Sequence, residues 1–295
     1  MSDPIAWLGD GTGQGRWGTP QTLTLPISDR GLLLADGLFE TLLVEAGQAW
    51  LLEEHLARWQ SSAALLGLPP PPGAATVQPL ITAAIERSGI GTALGSSGAL
   101  RLNWSRGSGA RGIDPPRNSS PSFWLQLSAS KPCFEPVRVI VSPTETRSAT
   151  SLLSRCKSFA YGASIQARRQ ALEAGADDAL LNSSAGGLCC GTSANLLVCR
   201  GGSWITPPLS SGCLPGVMRQ RGLETGLITE SAVQKPELLT CDAAWLINSL
   251  NCRPISHFHD AKLKNSHWED PETAWRRLLM AGGFKHLKSA ESFPG

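Results

Sequence analysis

Two prolines, Pro132 and Pro136, bracket the stretch KPCFEP near the middle of the chain, and strand-like and helix-like segments alternate on both sides of it. Proline cannot continue a helix and removes a ladder hydrogen bond from a strand, so residues 131–136 read as a linker. Upstream, LFETLLVEAGQAWLL (38–52) predicts two strands around a turn at Glu45–Gln48. Leu56, Trp59, Ala63 and Leu66 recur at helical spacing, which predicts a helix from Glu53 to Gly67, stopped by the proline run 69–72. A second helix is expected at 76–88, strands at 99–105 and 123–130, and a polar Gly/Pro loop at 106–121. Downstream, strands are expected at 137–142, 178–182 and 244–248, and ANLLVCR (194–200), Gly201-Gly202 and SWIT predict a hairpin. Helices are expected at 159–174, ending at Gly175, at 215–224 with Pro215 in its first position, and at 271–281. The chain therefore reads as a mixed α/β protein of two domains: a smaller one over 1–130, the linker at 131–136, and a larger one over 137–295.

With 295 residues and two-fifths of them apolar, the chain can bury a proper core. Its net charge is +2, with acids and bases interspersed, so nothing favours a nucleic-acid partner. Its apolar stretches are far too short to cross a membrane, and MSDPIAWLGDG lacks the basic start and apolar core of a signal peptide. The eight cysteines form no C-x-x-C and sit in apolar runs such as GLCCG and LLVCR. They read as free, mostly buried thiols in a reducing cytoplasm.

Few motifs carry chemistry on their own. Gly9, Gly11, Gly13 and Gly15 mimic a dinucleotide fingerprint, but RWGTP follows instead of a helix, and a flexible turn is expected. His257, His259 and Asp260 are too few for a metal centre, so no metal is expected. There is no G-x-S-x-G, P-loop or H-E-x-x-H. Lys157 lies in SRCKSFAYG, with Tyr161 four residues on. A lone lysine at a helix start is ordinarily solvated. A nucleophilic one needs desolvation or a cationic neighbour, and sequence alone leaves that open.

The order of several motifs adds what single residues do not. SDRGLLLADGLFETLLV (28–44), EEHLARWQSSAALLGL (53–68), the Lys157 segment, GADDALLNSSAGGLCCGTSANLLV (175–198) and ITPPLSSGCLPGVMR (205–219) follow one another as in the fold-type IV pyridoxal-phosphate (PLP) enzymes. The chain resembles that family from about residue 23 to 280, and within it most resembles the 4-amino-4-deoxychorismate lyases. The resemblance implies PLP as cofactor, Lys157 as the lysine that holds it and shuttles the substrate's proton, and Tyr161 beside it. It implies that Arg58 grips the phosphate with two hydrogen bonds. The backbone N–H groups of Val217 and Met218, with Asn248 or Ser249, would complete the phosphate site, and Leu214 would pack on the ring. It also implies a homodimer acting on a small molecule.

Three positions depart from the family. Cys190 stands where relatives place the glutamate that faces the ring nitrogen, Met218 replaces a phosphate-binding threonine, and Ala160 replaces an asparagine. A neutral thiol would weaken the ring as an electron sink. The loop SRGSGARG (105–112) resembles the R-G-x-G-x-R-G of the lyases, and its Arg106 and Arg111 are expected to bind the carboxylates of a dicarboxylate substrate. The expected reaction is the conversion of 4-amino-4-deoxychorismate to 4-aminobenzoate and pyruvate, for folate synthesis. A branched-chain or D-amino-acid aminotransferase and a non-catalytic PLP-binding homologue are the alternatives.

Overall fold

The computed structural model describes residues 3–264 and 269–281. Six antiparallel strands form the first sheet: β1 (Ile5–Gly9), β2 (Gly15–Gly18), β3 (Gly37–Glu45), β4 (Gln48–Ala49), β5 (Ser97–Ser105) and β6 (Ser122–Ala129), in the order β2-β1-β6-β5-β3-β4. The short α1 (Arg30–Leu34) precedes β3, and α2 (Leu52–Leu65) and α3 (Ala74–Ser88) cover one face. Alternation in β6 turns Phe123, Leu125 and Leu127 inward, where they meet Trp59 and Ala63 of α2 and Val77 and Ile81 of α3.

The second sheet contains β7 (Val137–Arg147), β8 (Asp178–Ser183), β9 (Leu188–Gly191), β10 (Asn195–Arg200), β11 (Ser203–Thr206), β12 (Ile228–Glu230), β13 (Ala243–Ile247), β14 (Cys252–Phe258) and β15 (Ala261–Lys262). Its order is β12-β11-β10-β13-β14-β7-β8-β9, with β15 on β14. Because β9 also pairs with β10, six of these strands close into a ring. The helix α4 (Gly162–Glu173) is the crossover between the parallel strands β7 and β8, and α5 (Val217–Glu224) joins the parallel pair β11 and β12. The elements α6 (Lys235–Thr240) and α7 (Pro271–Met280) lie farther along the chain. Residues 131–136 run between the last strand of the first sheet and the first strand of the second.

Three local expectations change. The helix predicted from 159 starts at Gly162, because residues 157–159 pair with β3 instead. The Phe39 N–H donates to the Lys157 carbonyl (2.9 Å) and the Phe159 N–H to the Gly37 carbonyl (3.0 Å). Pro215 lies two residues ahead of α5, whose cap is Gly216 in extended conformation (ψ 140°), and the Pro215 carbonyl accepts from Arg58 Nη1 (3.1 Å). The glycine run is an ordered hairpin rather than a flexible turn. A Cβ at Gly9 or Gly15 would approach the Trp7 ring to 2.5 Å, so the bare backbone lets both residues pack on that indole.

Candidate active site

A cavity of about 720 Å³ opens where the first sheet meets the ring of the second. Strands β3 and β5 contribute Phe39, Thr41 and Arg101, and α2 contributes Arg58. The second half contributes Lys157, Tyr161, Cys190, Leu214, Val217 and Met218, with Asn248 and Ser249 from the turn after β13. The residues expected around a cofactor thus share one cavity. Arg106 and Arg111 do not line it.

Lys157 is held where its amine can be reactive. Its Nζ lies 3.3 Å from the Tyr161 hydroxyl and 4.2 Å from the centre of the Phe39 ring. Burial, aided by the charge of Arg58 and opposed by Glu40, lowers its pKa to about 7. Much of the amine is therefore neutral, and nucleophilic, near neutral pH. Burial raises the Tyr161 phenol, which stays protonated beside it.

Arg58 reaches the cavity, and one edge of its guanidinium is held by Glu40. Nε donates to Glu40 Oε1 (2.8 Å) and Nη2 donates to Glu40 Oε2, leaving Nη1, which donates to Pro215. One N–H on each of Nη1 and Nη2 is left over, on a residue that lines the cavity. Burial works against the Glu40 charge, but Arg58 and the hydrogen bond from His55 outweigh it and hold the carboxyl at about 2.

Arg101 is the residue that sequence reasoning missed. Its guanidinium carbon lies 3.6 Å from the centre of the Phe39 ring, and its Nε donates to Asn103 Oδ1 (2.7 Å). Among the described residues no carboxylate pairs with it. Arg147 also lines the cavity, and among the described residues its side chain donates to the Gly212 and Ser154 carbonyls and pairs with no carboxylate. The detectable signal for Arg101 was a charge inside the alternating run ALRLNWS, at a position two residues from the buried Asn103.

Arg106 instead donates to Asp36 Oδ2 (2.8 Å) and to the Gly67 carbonyl (2.9 Å). Arg30 shares that aspartate and donates to the carbonyls of Gly112, Ile113 and Asp114, so it clasps the loop on which Arg111 is exposed. Within this chain Arg106 is bonded to Asp36 and Gly67 and lies outside the cavity lining.

Cys190 is on the cavity wall and 7% exposed, and it packs in one buried cluster with Cys189 and Cys213. The following turn is fixed by Thr192, whose hydroxyl donates to Asp178 Oδ1 (2.6 Å) and accepts from Arg168. Leu214 accepts at its carbonyl from Asn195 Nδ2 (2.9 Å). A Cβ at Gly216 would fall 2.0 Å from Asn195 Oδ1, so only glycine lets α5 begin this close to β10. The first N–H groups of α5, at Val217 and Met218, have no partner within the helix and belong to residues that line the cavity. Asn248 uses its side-chain oxygen on the N–H groups of Leu250 and Asn251, which holds the turn that carries Ser249.

A reactive amine, two guanidinium groups without a carboxylate partner among the described residues and an open helix start suit an aldehyde cofactor with an anionic tail. Residues 37–258 match the model of the amino-transferase class IV family, and the chain belongs to that family, whose enzymes use PLP. A Methanocaldococcus jannaschii protein named for a branched-chain-amino-acid aminotransferase is 27% identical over 230 residues, 75% of this chain and 77% of the relative. A Mycobacterium tuberculosis bifunctional aminodeoxychorismate lyase / D-amino acid transaminase is 26% identical over 265 residues, 81% of this chain and 86% of the relative. A fold IV-transaminase from Curtobacterium pusillum, CpuTA1, superposes with a TM-score of 0.77 at 26% identity, covering 94% of this chain and all of that one. The fold is that of the fold-type IV enzymes. Among the described residues no helix is long and apolar enough to cross a membrane.

Proposed function

We propose that this protein is a PLP-dependent lyase that converts 4-amino-4-deoxychorismate to 4-aminobenzoate and pyruvate, serving folate synthesis in the cytoplasm. The observation that carries this reading is Arg101, a guanidinium beside Lys157 with no carboxylate partner. Together with Arg147 it gives the cavity cationic capacity for a substrate with two carboxylates, in addition to the cofactor phosphate. The donor set fits PLP: Lys157 would hold it, the α5 start and Ser249 would receive its phosphate, Leu214 would pack on its ring and Cys190 would face the ring nitrogen.

PLP, when bound, supplies an electron sink for bonds at the amino-bearing carbon. Lys157 would take the proton from that carbon as the neighbouring carbon–oxygen bond breaks, its electron pair leaving with the enolate, and one proton added at the enolate carbon would give pyruvate. The ring left behind is aromatic, which supplies driving force outside the cofactor. Such a reaction tolerates a thiol at position 190 better than transamination does. Tyr161 sits within reach of the Lys157 amine, and Arg101 would orient a substrate carboxylate.

The mouth of the cavity is bordered by exposed apolar side chains, including Leu32 (64% exposed) and Ile165 (61%), with Leu33 (62%) next in sequence to Leu32. We take this rim as the contact face of a homodimer, and the two sheets with their helices as two domains joined at 131–136. Purified protein supplied with 4-amino-4-deoxychorismate should release equal amounts of 4-aminobenzoate and pyruvate. Conversion of the cofactor to its amine form by an amino acid, without pyruvate release, would replace the lyase with an aminotransferase. Cofactor binding with neither activity would leave a binding protein.

A further inference from the structure

Ser249, His55 and Glu40 form a hydrogen-bonded row that ends on the cavity wall. Glu40 Oε2 lies 2.7 Å from His55 Nδ1, and His55 Nε2 lies 3.2 Å from Ser249 Oγ. Glu40 and His55 are each only 1% exposed, whereas Ser249 lines the cavity. Proton positions follow from donor and acceptor counting. Ionised Glu40 only accepts, so Nδ1 carries the hydrogen. Burial first, and then the positive charges of Arg58 and Lys157, favour the uncharged imidazole against the pull of Glu40. Nε2 is then a bare acceptor, and the Ser249 hydroxyl donates to it. In that state Ser249 presents oxygen lone pairs to the cavity, which is the wrong polarity for an anion.

We propose that His55 is a positioning residue for the cofactor phosphate: it takes up one proton from solvent as the phosphate binds, and its new Nε2–H releases the Ser249 hydroxyl to donate to a phosphate oxygen. The proposal rests on the placement of the phosphate at Ser249 and the start of α5. No covalent bond to phosphorus or carbon changes; a single proton moves from solvent to Nε2. The groups that face the imidazole are Glu40 from β3, Arg58 from its own helix, Lys157 from the segment paired with β3, and Ser249. An arriving phosphate dianion offsets the two cations among them, and Glu40 is already in place to stabilise the imidazolium.

Calorimetric titration of the apoprotein near pH 7, in two buffers of different ionisation enthalpy, counts the protons taken up. PLP and pyridoxal, which lacks the phosphate, are the two probes. Wild type should take up more protons with PLP than with pyridoxal. His55→Gln should lose most of that excess, and Ser249→Ala, on the cavity wall and outside the packed core, should lose it as well. The phosphate's own ionisation is common to every protein and cancels between them. Each variant should bind PLP roughly ten- to a hundredfold more weakly, the ordinary cost of one charge-assisted hydrogen bond, and the double variant no more weakly than either alone. Equal proton counts in wild type and variants, or losses that multiply in the double variant, would overturn the role of His55 while PLP still binds more tightly than pyridoxal. If wild type binds PLP no more tightly than pyridoxal, the phosphate placement itself fails and the proposal falls with it.

Discussion

Cys190 stands directly across from Asn195 in the single pairing that closes β9 onto β10, and both residues border the cavity. The position is therefore fixed by the backbone of a closed ring of strands. Cys190→Glu would place a carboxylate at the resemblance's ring-nitrogen site without altering that pairing. It should raise the half-reaction with D-alanine, glutamate or a branched-chain amino acid by roughly tenfold, read as conversion of bound PLP to its amine form, and change lyase turnover much less. A carboxylate that merely disturbs the Cys189–Cys190–Cys213 packing would lower both activities and the melting temperature together.

Lys157→Ala should abolish turnover and the visible absorption band of the covalently held cofactor. In wild type, capture of PLP by the apoprotein should speed up as pH rises through about 7, where the Lys157 amine loses its proton. The same shift has a stability sign. Between about 7 and the ordinary lysine range near 10.5 the unfolded chain binds a proton that the folded one does not, so apoprotein stability should rise with pH across that window. Lys157→Met should remove this slope in thermal melts.

Arg101→Ala should weaken substrate use and spare the cofactor. One lost charge-assisted hydrogen bond predicts roughly a ten- to hundredfold fall in kcat/KM, with PLP affinity within about twofold of wild type. Arg106→Ala should behave in the opposite way: it unfastens Asp36 and Gly67, so the melting temperature should fall, with any kinetic change following the loss of folded protein. If Arg106→Ala raised KM at unchanged stability and Arg101→Ala left it alone, the substrate anchor would have to be moved to the 106–111 loop.

Glu40→Gln should be costly at neutral pH, because it leaves Arg58 without its carboxylate in a buried site; loss of one partner of such a pair typically costs about 3–5 kcal/mol. Wild-type Glu40 has a lowered folded pKa, so its contribution is present above the ordinary glutamate range and is lost as pH falls toward about 2. Acid unfolding curves of the two proteins should converge over that interval. Parallel curves would show that Arg58 finds another partner.

What could be read from the residues was whatever local pattern encodes. The stripe Leu56, Trp59 and Ala63 marked α2, and motif order brought Lys157, Tyr161, Cys190, Leu214 and the start of α5 to one place. What could not be read were partners that meet only through the fold. Arg58 and Glu40 lie on different elements, and nothing local shows that a strand carboxylate holds one edge of the guanidinium. The start of α4 moved for the same reason, since 157–159 resemble a helix entry until β3 competes for their backbone groups. Arg106 carried the motif and Arg101 did not, yet Arg101 lies on the cavity face of β5 while Arg106, one residue past its end, is drawn off to Asp36 and Gly67.

The pairing of residues 157–159 with β3 fixes the Lys157 amine by register rather than by its own flexible side chain. A slip of one residue would put Ser158 in the place of Lys157 and turn the amine toward the opposite face. A single residue inserted between Lys157 and Phe159 would therefore silence the enzyme while leaving most of its core intact.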